Sequence, residues 1–263
     1  MEEVFYVFGD KFKNYENIKN CITISALMEK LSSNEFESSI TGGVQYLPGQ
    51  GLQEDQIKLF LKKMEDMCLS KYFDAWYSFP SYRRAQKVIT HKHCIKNILI
   101  TDPIKLDDDT YEMDLIIDDR NEIMSDHVTG YHLQGMLLVE AARQAFLAVT
   151  EKFFMGKAFN FQTYFIIRKM LANFYSFVFP IEAKLIYRIL KKDISDPLKL
   201  NFSVSVEINQ MEKSASCIDI SFSVFHKPWL ETKEKNKSEK CINYNIIKHF
   251  EDKQDKQLLV ASE

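Results

Sequence analysis

The sequence predicts an α+β fold: one strongly curved antiparallel sheet wrapped around a single buried helix, preceded by a small α/β unit. Three observations predict it. Residues 136–154 read as a helix that is apolar on almost every side, its only polar side chains before Thr150 being Glu140, Arg143 and Gln144. Such a helix belongs inside a protein. Residues 200–209 and 215–225 alternate apolar and polar with period two, as strands with one buried and one solvated face do. Residues 1–85 instead follow a strand–helix–strand–helix order.

The totals suit a globular chain. Of 263 residues, 46% are hydrophobic and 27% charged, enough apolar material for a core. The net charge of −3 gives no reason to expect nucleic acid as a partner. The five cysteines (Cys21, Cys68, Cys94, Cys217 and Cys241) are scattered and odd in number. That pattern fits reduced thiols in a cytoplasmic protein better than a disulfide framework. Met1-Glu2-Glu3 lacks the basic and apolar regions of a signal peptide. The apolar helix is short for a bilayer and carries a Glu and an Arg at its middle, so no membrane span is expected.

Within residues 1–85, Val4 to Phe8 form a short apolar run halted by Gly9-Asp10, and Ile24, Leu27, Met28 and Leu31 then recur at helical spacing. A second strand is expected over 39–47. Pro48-Gly49-Gln50-Gly51 follows, then a helix over 53–69 with Ile57, Phe60, Leu61 and Met64 on one face. The glycine loop invites a phosphate-binding reading. It lacks Gly-Lys-Ser/Thr, and Glu54 and Asp55 would repel a phosphate, so a turn and helix cap is the expected role. Residues 78–84 read as a linker.

From residue 86 the pattern changes. Strands are expected over 88–95, 97–100 and 111–117, then the loop and buried helix. Strands follow over 165–179 (bent or interrupted), 183–190, 200–209 and 215–225. The short polar connections 193–197 and 210–214 make these antiparallel neighbours. Beyond Pro228 comes a charged, solvated tail, residues 229–263, with a short terminal helix over 242–250. A curved antiparallel sheet around one helix is the hotdog arrangement; Ala141, Ala142, Ala145 and Ala148 would let the sheet approach that helix closely.

The candidate chemistry sits in and before this helix. Glu140, Arg143 and Gln144 lie within one turn. Glu140 is a candidate general base whose burial is expected to raise its pKa, against the alternative of an intrahelical pair with Arg143. Arg143 can bind a phosphate through its fork, or only neutralise Glu140. Gln144 can orient Glu140 or hydrogen-bond a strand. His127 and His132, in the loop ahead of the helix, are candidate acid/base groups or simple loop histidines. Backbone N–H groups near Gly135 can polarise a thioester carbonyl. His91, His93 and Cys94 suggest a metal, but residues 91 and 93 share one strand face and a zinc site needs more ligands; no metal is expected.

The sequence also resembles a family. His91-Lys92, Ile98 to Asp102, Asp126-His127 with His132, Gly135 to Leu138, and above all Glu140-Ala141-Ala142-Arg143-Gln144-Ala145 resemble the A-factor biosynthesis (AfsA) hotdog family over residues 86–228. The resemblance implies chemistry on acyl thioesters of acyl carrier protein or coenzyme A, with no resident cofactor beyond the phosphopantetheine that carries the substrate. The A-factor enzyme condenses a β-ketoacyl group with a phosphorylated three-carbon alcohol. Members of that type carry two hotdog repeats; this chain has room for one, which implies a homodimer if a double hotdog is needed. The stretch is more distantly similar to β-hydroxyacyl-carrier-protein dehydratases, in which a loop histidine and a helix acid form the site; His127 and Glu140 stand in roughly those places, although the dehydratase proline-glycine pattern is absent. The resemblance thus implies Glu140, His127 and His132 as catalytic, and Arg143, Gln144, Gly135 and Asp126 as substrate-binding. Acyl transfer and dehydration in making a lipid-derived signal or specialised metabolite are both open. The rivals are a non-catalytic acyl or carrier binding module and a thioesterase.

Overall fold

A computed structural model describes residues 3–32, 43–79, 84–125, 130–155, 163–196 and 198–260. The first unit is a parallel sheet of three strands, β1 (Glu3–Phe8), β2 (Cys21–Thr23) and β3 (Val44–Pro48), with β1 in the centre. Helices α1 (Ile24–Ser32) and α2 (Glu54–Asp66) follow β2 and β3. Ile57, Phe60, Leu61 and Met64 of α2 are buried as their spacing predicts, in a core with Phe73 and Trp76.

The second region contains a six-stranded sheet, its neighbouring strands all antiparallel, in the order β4 (Ile104–Lys105), β5 (Thr110–Asp114), β7 (Lys184–Asp196), β8 (Lys199–Gln210), β9 (Lys213–His226) and β6 (Thr163–Phe174). Short helices α3 (Lys87–Thr90) and α4 (Glu122–Ser125) precede the central helix α5 (Gly135–Phe153). The alternation in β8 and β9 buries Phe202, Val204, Val206 and Ile208 beside Ile218, Ile220, Phe222 and Val224. This face packs on α5, where Phe146 stacks on Phe222 at 4.4 Å between ring centroids. Ala141, Ala142, Ala145 and Ala148 are fully buried, so small side chains do bring sheet and helix together. A register shift between Ile167 and Lys169 bends β6. The turn from β8 to β9 is made by Met211 and Glu212, both at positive φ (52° and 59°), the geometry of a tight hairpin achieved without glycine.

Three expectations fail. Residues 97–100 are not a strand, since only Ile100 among them forms a β-bridge, to Leu115. Residues 88–95 are not a strand either: α3 ends at His91, which takes a left-handed φ of 53°, and a 3-10 turn over Ile95–Asn97 follows. The reason lies in its partners, because this segment is held by side chains of α5 and not by a neighbouring strand. The charged tail is likewise not a solvated stretch of coil with a short helix. It is one helix, α6 (Lys227–Val260), because Lys and Glu are strong helix formers, no glycine interrupts it, and its one proline, Pro228, falls in the first turn where proline is tolerated. No helix among the described residues is long and apolar enough to cross a membrane.

The glycine loop joins the two regions. The buried Gln50 side chain donates to the carbonyl of Leu115 (2.9 Å) and accepts from the N–H of Ile117 (2.8 Å). The N–H of Gln50 donates to Pro180 O and that of Gly51 to Ile117 O. Gly51 sits at φ +86°, and a Cβ on Gly9 would lie 2.1 Å from its carbonyl oxygen. These glycines therefore serve close backbone approach. Phe8, Phe12 and Tyr15 of the first unit extend the core around α5.

Candidate functional site

The polar residues of α5 converge as their spacing requires. Arg143 clasps Glu140 with two bonds, Nε to Oε2 at 2.7 Å and Nη2 to Oε1 at 2.9 Å. Gln144 Nε2 donates to Glu140 Oε1 at 3.0 Å. A further donor comes from outside the helix: Lys92 Nζ lies 2.7 Å from Glu140 Oε1. Burial pushes the Glu140 carboxyl up, but the bonds from Arg143, Lys92 and Gln144 outweigh it and hold the group at about 2. The expectation that burial raises this pKa is therefore overturned, and Glu140 is a fixed anion. Its guanidinium partner keeps 30% of its side-chain surface open to solvent.

Gln144 is fully buried and fully used. Besides Glu140, its Nε2 donates to Asn97 O at 2.8 Å, and its Oε1 accepts from Leu99 N–H at 2.8 Å. It fastens the irregular segment after His91 to α5, which is a positioning role.

His132 and Gly135 gather at the N-terminal end of α5, about one and a half turns before Glu140. The His132 ring lies 4.5 Å from that of Phe177, and a Cβ on Gly135 would come within 3.0 Å of the Phe174 ring. Around them Tyr131, Met136, Phe174, Tyr175 and Phe177 are 43–65% exposed. The first unit reaches this loop: Tyr15 Oη donates to the carbonyl of Tyr131 at 2.6 Å, and Lys11 Nζ to that of Met124 at 2.8 Å. Asp126 and His127 lie outside the described residues.

A second acid–histidine pair escaped the sequence reading. Glu151, its side chain 1% exposed, bonds His91 Nε2 at 2.8 Å through Oε1, which also accepts from Thr163 Oγ1. Its Oε2 is buried without a hydrogen-bond partner among the described residues. Glu151 stands eleven residues after Glu140, on the same helix face at 100° per residue. That spacing was the available signal. His91 thus pairs with a carboxylate, while His93 and Cys94 are exposed. Among the described residues no three metal-binding side chains converge.

Among curated proteins none matches the chain. Solved structures similar to it include conserved protein PA5202 from Pseudomonas aeruginosa (20% identity over 47% of this chain and 87% of that one, TM-score 0.33). Others are a mutant form of thioesterase PA1618 from the same organism (13%, 67% and 96%, 0.33) and the E. coli PaaI protein of the phenylacetic acid degradation operon (10%, 46% and 80%, 0.32). The model of the A-factor biosynthesis hotdog domain matches residues 79–226. That span takes in the whole of α5 with its Glu140–Arg143–Gln144 cluster and all six strands of the antiparallel sheet, so the chain belongs to the A-factor biosynthesis (AfsA) hotdog domain family.

Proposed function

We propose that this protein processes acyl thioesters of acyl carrier protein or coenzyme A by acyl transfer to an anionic acceptor, in synthesis of a lipid-derived signal or specialised metabolite. The observation that carries the choice of transfer is the state of Glu140. A dehydratase acid in the central helix must hold and release a proton near neutrality. A carboxyl held at about 2 by three donors does not. It serves instead to fix Arg143 and Lys92, two cations suited to a phosphate on the acceptor or on the pantetheine arm. His132 is the described acid/base candidate at the thioester end, the N–H groups near Gly135 polarise the carbonyl, and the exposed aromatic residues around them receive the acyl chain. His127 and Asp126 are assigned to the site by family resemblance.

The site needs a second copy in this reading. Strand β6 is at the sheet edge, and its Ile167, Leu171 and Phe174 are 42–51% exposed. Pairing of two such edges continues the sheet and covers the aromatic patch. The free cysteines and the charge balance support a cytoplasmic protein with no nucleic-acid partner.

Intact-protein mass spectrometry tests the reaction, with carrier proteins bearing 3-oxo and 3-hydroxy chains, with and without a phosphorylated triose. Loss of the acyl group only with the acceptor is expected, and Arg143→Ala should lower that rate about 10- to 100-fold. Loss of water, or acyl loss without acceptor, overturns transfer in favour of dehydration or hydrolysis. A second reading, a non-catalytic acyl or carrier binding module, draws support from Gln144, whose polar atoms are all taken up within the fold; it predicts binding with no mass change.

A further inference from the structure

Two consecutive side chains clasp α5 at points far apart. His91 Nε2 donates to Glu151 Oε1 at 2.8 Å, and Lys92 Nζ lies 2.7 Å from Glu140 Oε1. Positions 140 and 151 are roughly 16 Å apart along the helix, whereas the Cα atoms of neighbouring residues are only about 3.8 Å apart. The side chains of His91 and Lys92 therefore diverge along α5 from one short stretch of backbone. That stretch closes α3: the N–H groups of His91 and Lys92 both donate to Lys87 O, and His91 takes φ 53° and ψ 42°. Glycine or asparagine is the usual residue in this left-handed position. A histidine there costs more backbone energy and brings a ring that the cap itself does not need.

The carboxylate that receives this ring is built into the core. The Glu151 side chain is 1% exposed, its Oε1 also accepts from Thr163 Oγ1, and its Oε2 has no hydrogen-bond partner among the described residues. A buried carboxylate is costly, and an apolar side chain would fill the same space at less cost. What packing cannot supply is the bond to His91. Phe165 meets the same ring edge-on, with centroids 5.3 Å apart and planes at 79°. On the other side of Lys92, Gln144 holds Asn97 O and the N–H of Leu99. Lys92 is thus rooted between two clamps on α5. Lysine is a point charge on a flexible stem, so the place of its ammonium depends on how firmly the root is held. That ammonium lies beside the Arg143–Glu140 pair, where the transfer reading puts a substrate phosphate. We propose that Glu151 and His91 are positioning residues that hold Lys92 for that phosphate. The inference rests on the transfer reading and adds two residues that act on the phosphate only through Lys92.

Steady-state kinetics of the full chain, with a 3-oxoacyl carrier protein and either a phosphorylated or an unphosphorylated triose, tests the role. The quantities read are the ratio of kcat/KM for the two trioses and the KM for the carrier. In His91→Asn, which suits the left-handed backbone and removes the ring, the ratio should fall about tenfold in favour of the unphosphorylated triose. If the phosphate belongs to the pantetheine arm, the KM for the carrier rises by about that factor instead. Glu151→Met fills the same space without an acceptor and should act as His91→Asn does. On a Lys92→Ala background neither substitution should change either quantity further, since both work through Lys92. A general loss of structure lowers turnover with both trioses alike and does not imitate this pattern. Parental values in both variants, or a further change on the Lys92→Ala background, would overturn the positioning role and leave the transfer reading standing. A parent protein that moves no acyl group to either triose refutes the transfer reading itself, and the proposal falls with it.

Discussion

Glu140 shows how one residue's meaning depends on a partner far away in sequence. Its neighbours Arg143 and Gln144 were legible at spacings of three and four. The sign of its pKa shift was not, because Lys92 comes from another segment whose path no periodicity reveals. Desolvation alone would raise the carboxyl; three donors reverse it. A carboxyl whose folded value lies below its ordinary 4.5 stabilises the fold fully above that value and ceases to as pH falls toward about 2. The difference amounts to about 3 kcal/mol on the linkage scale. Glu140→Gln should therefore lower stability by roughly 2–3 kcal/mol at neutral pH, and the gap between variant and parent should close as pH drops from about 4.5 toward 2. Urea unfolding across that range measures it, and a gap independent of pH would refute the assignment of Glu140 as a fixed anion. Glu151 was missed for a related reason. It falls in the last turn of the helix read over 136–154, beyond the apolar run that ends at Val149, and its partner His91 sits in a segment whose β-branched residues suggested a strand.

At the scale of elements, legibility followed the source of each element's order. Strands β8 and β9 were readable because one face meets the core and one meets water, which writes a period of two into the sequence. Helix α5 was readable because it is enclosed. The segment from His91 to Leu99 was not, since side chains of Glu140, Gln144 and Glu151 replace the strand partner that its composition anticipates. Helix α6 was not, since a helix without a buried face carries no apolar period along most of its length. The glycine loop before α2 was readable as a turn, but its service as a joint was not, because Gln50 is an ordinary residue until it is buried. There it satisfies one donor and one acceptor of the chain at Leu115 and Ile117. Gln50→Ala leaves both buried without replacement, so a loss of about 2–4 kcal/mol is expected, read as a fall in the urea midpoint at unchanged m-value. A change within about 0.5 kcal/mol, the range of an ordinary surface substitution, would show that the joint does not depend on this side chain.

The whole molecule holds two cores that touch. One lies under the parallel sheet around Phe60, Phe73 and Trp76. The other surrounds α5, and Phe8, Phe12 and Tyr15 extend into it from the first unit. The composition break near residue 85 marks a change of architecture, but a change of architecture need not be a change of folding unit. Tyr15 on Tyr131 O ties the first unit to the loop that precedes the site, and Lys11 on Met124 O and Gln50 on residues 115 and 117 tie it to α4 and to the segment after β5. Shared apolar burial and buried hydrogen bonds couple two regions far more strongly than a flexible linker does. The two should therefore unfold together. The chain's two tryptophans make this measurable: Trp76 is fully buried in the first core, whereas Trp229 is exposed on α6. In a Trp229→Phe variant, fluorescence reports the first core alone, while the β-sheet signal in far-UV circular dichroism is dominated by the six-stranded sheet. Coincident urea transitions by the two probes are expected. If fluorescence moves first while the sheet signal stays, the parallel-sheet unit is separately stable, and its contacts with the loop before α5 do not bind the two regions into one cooperative structure.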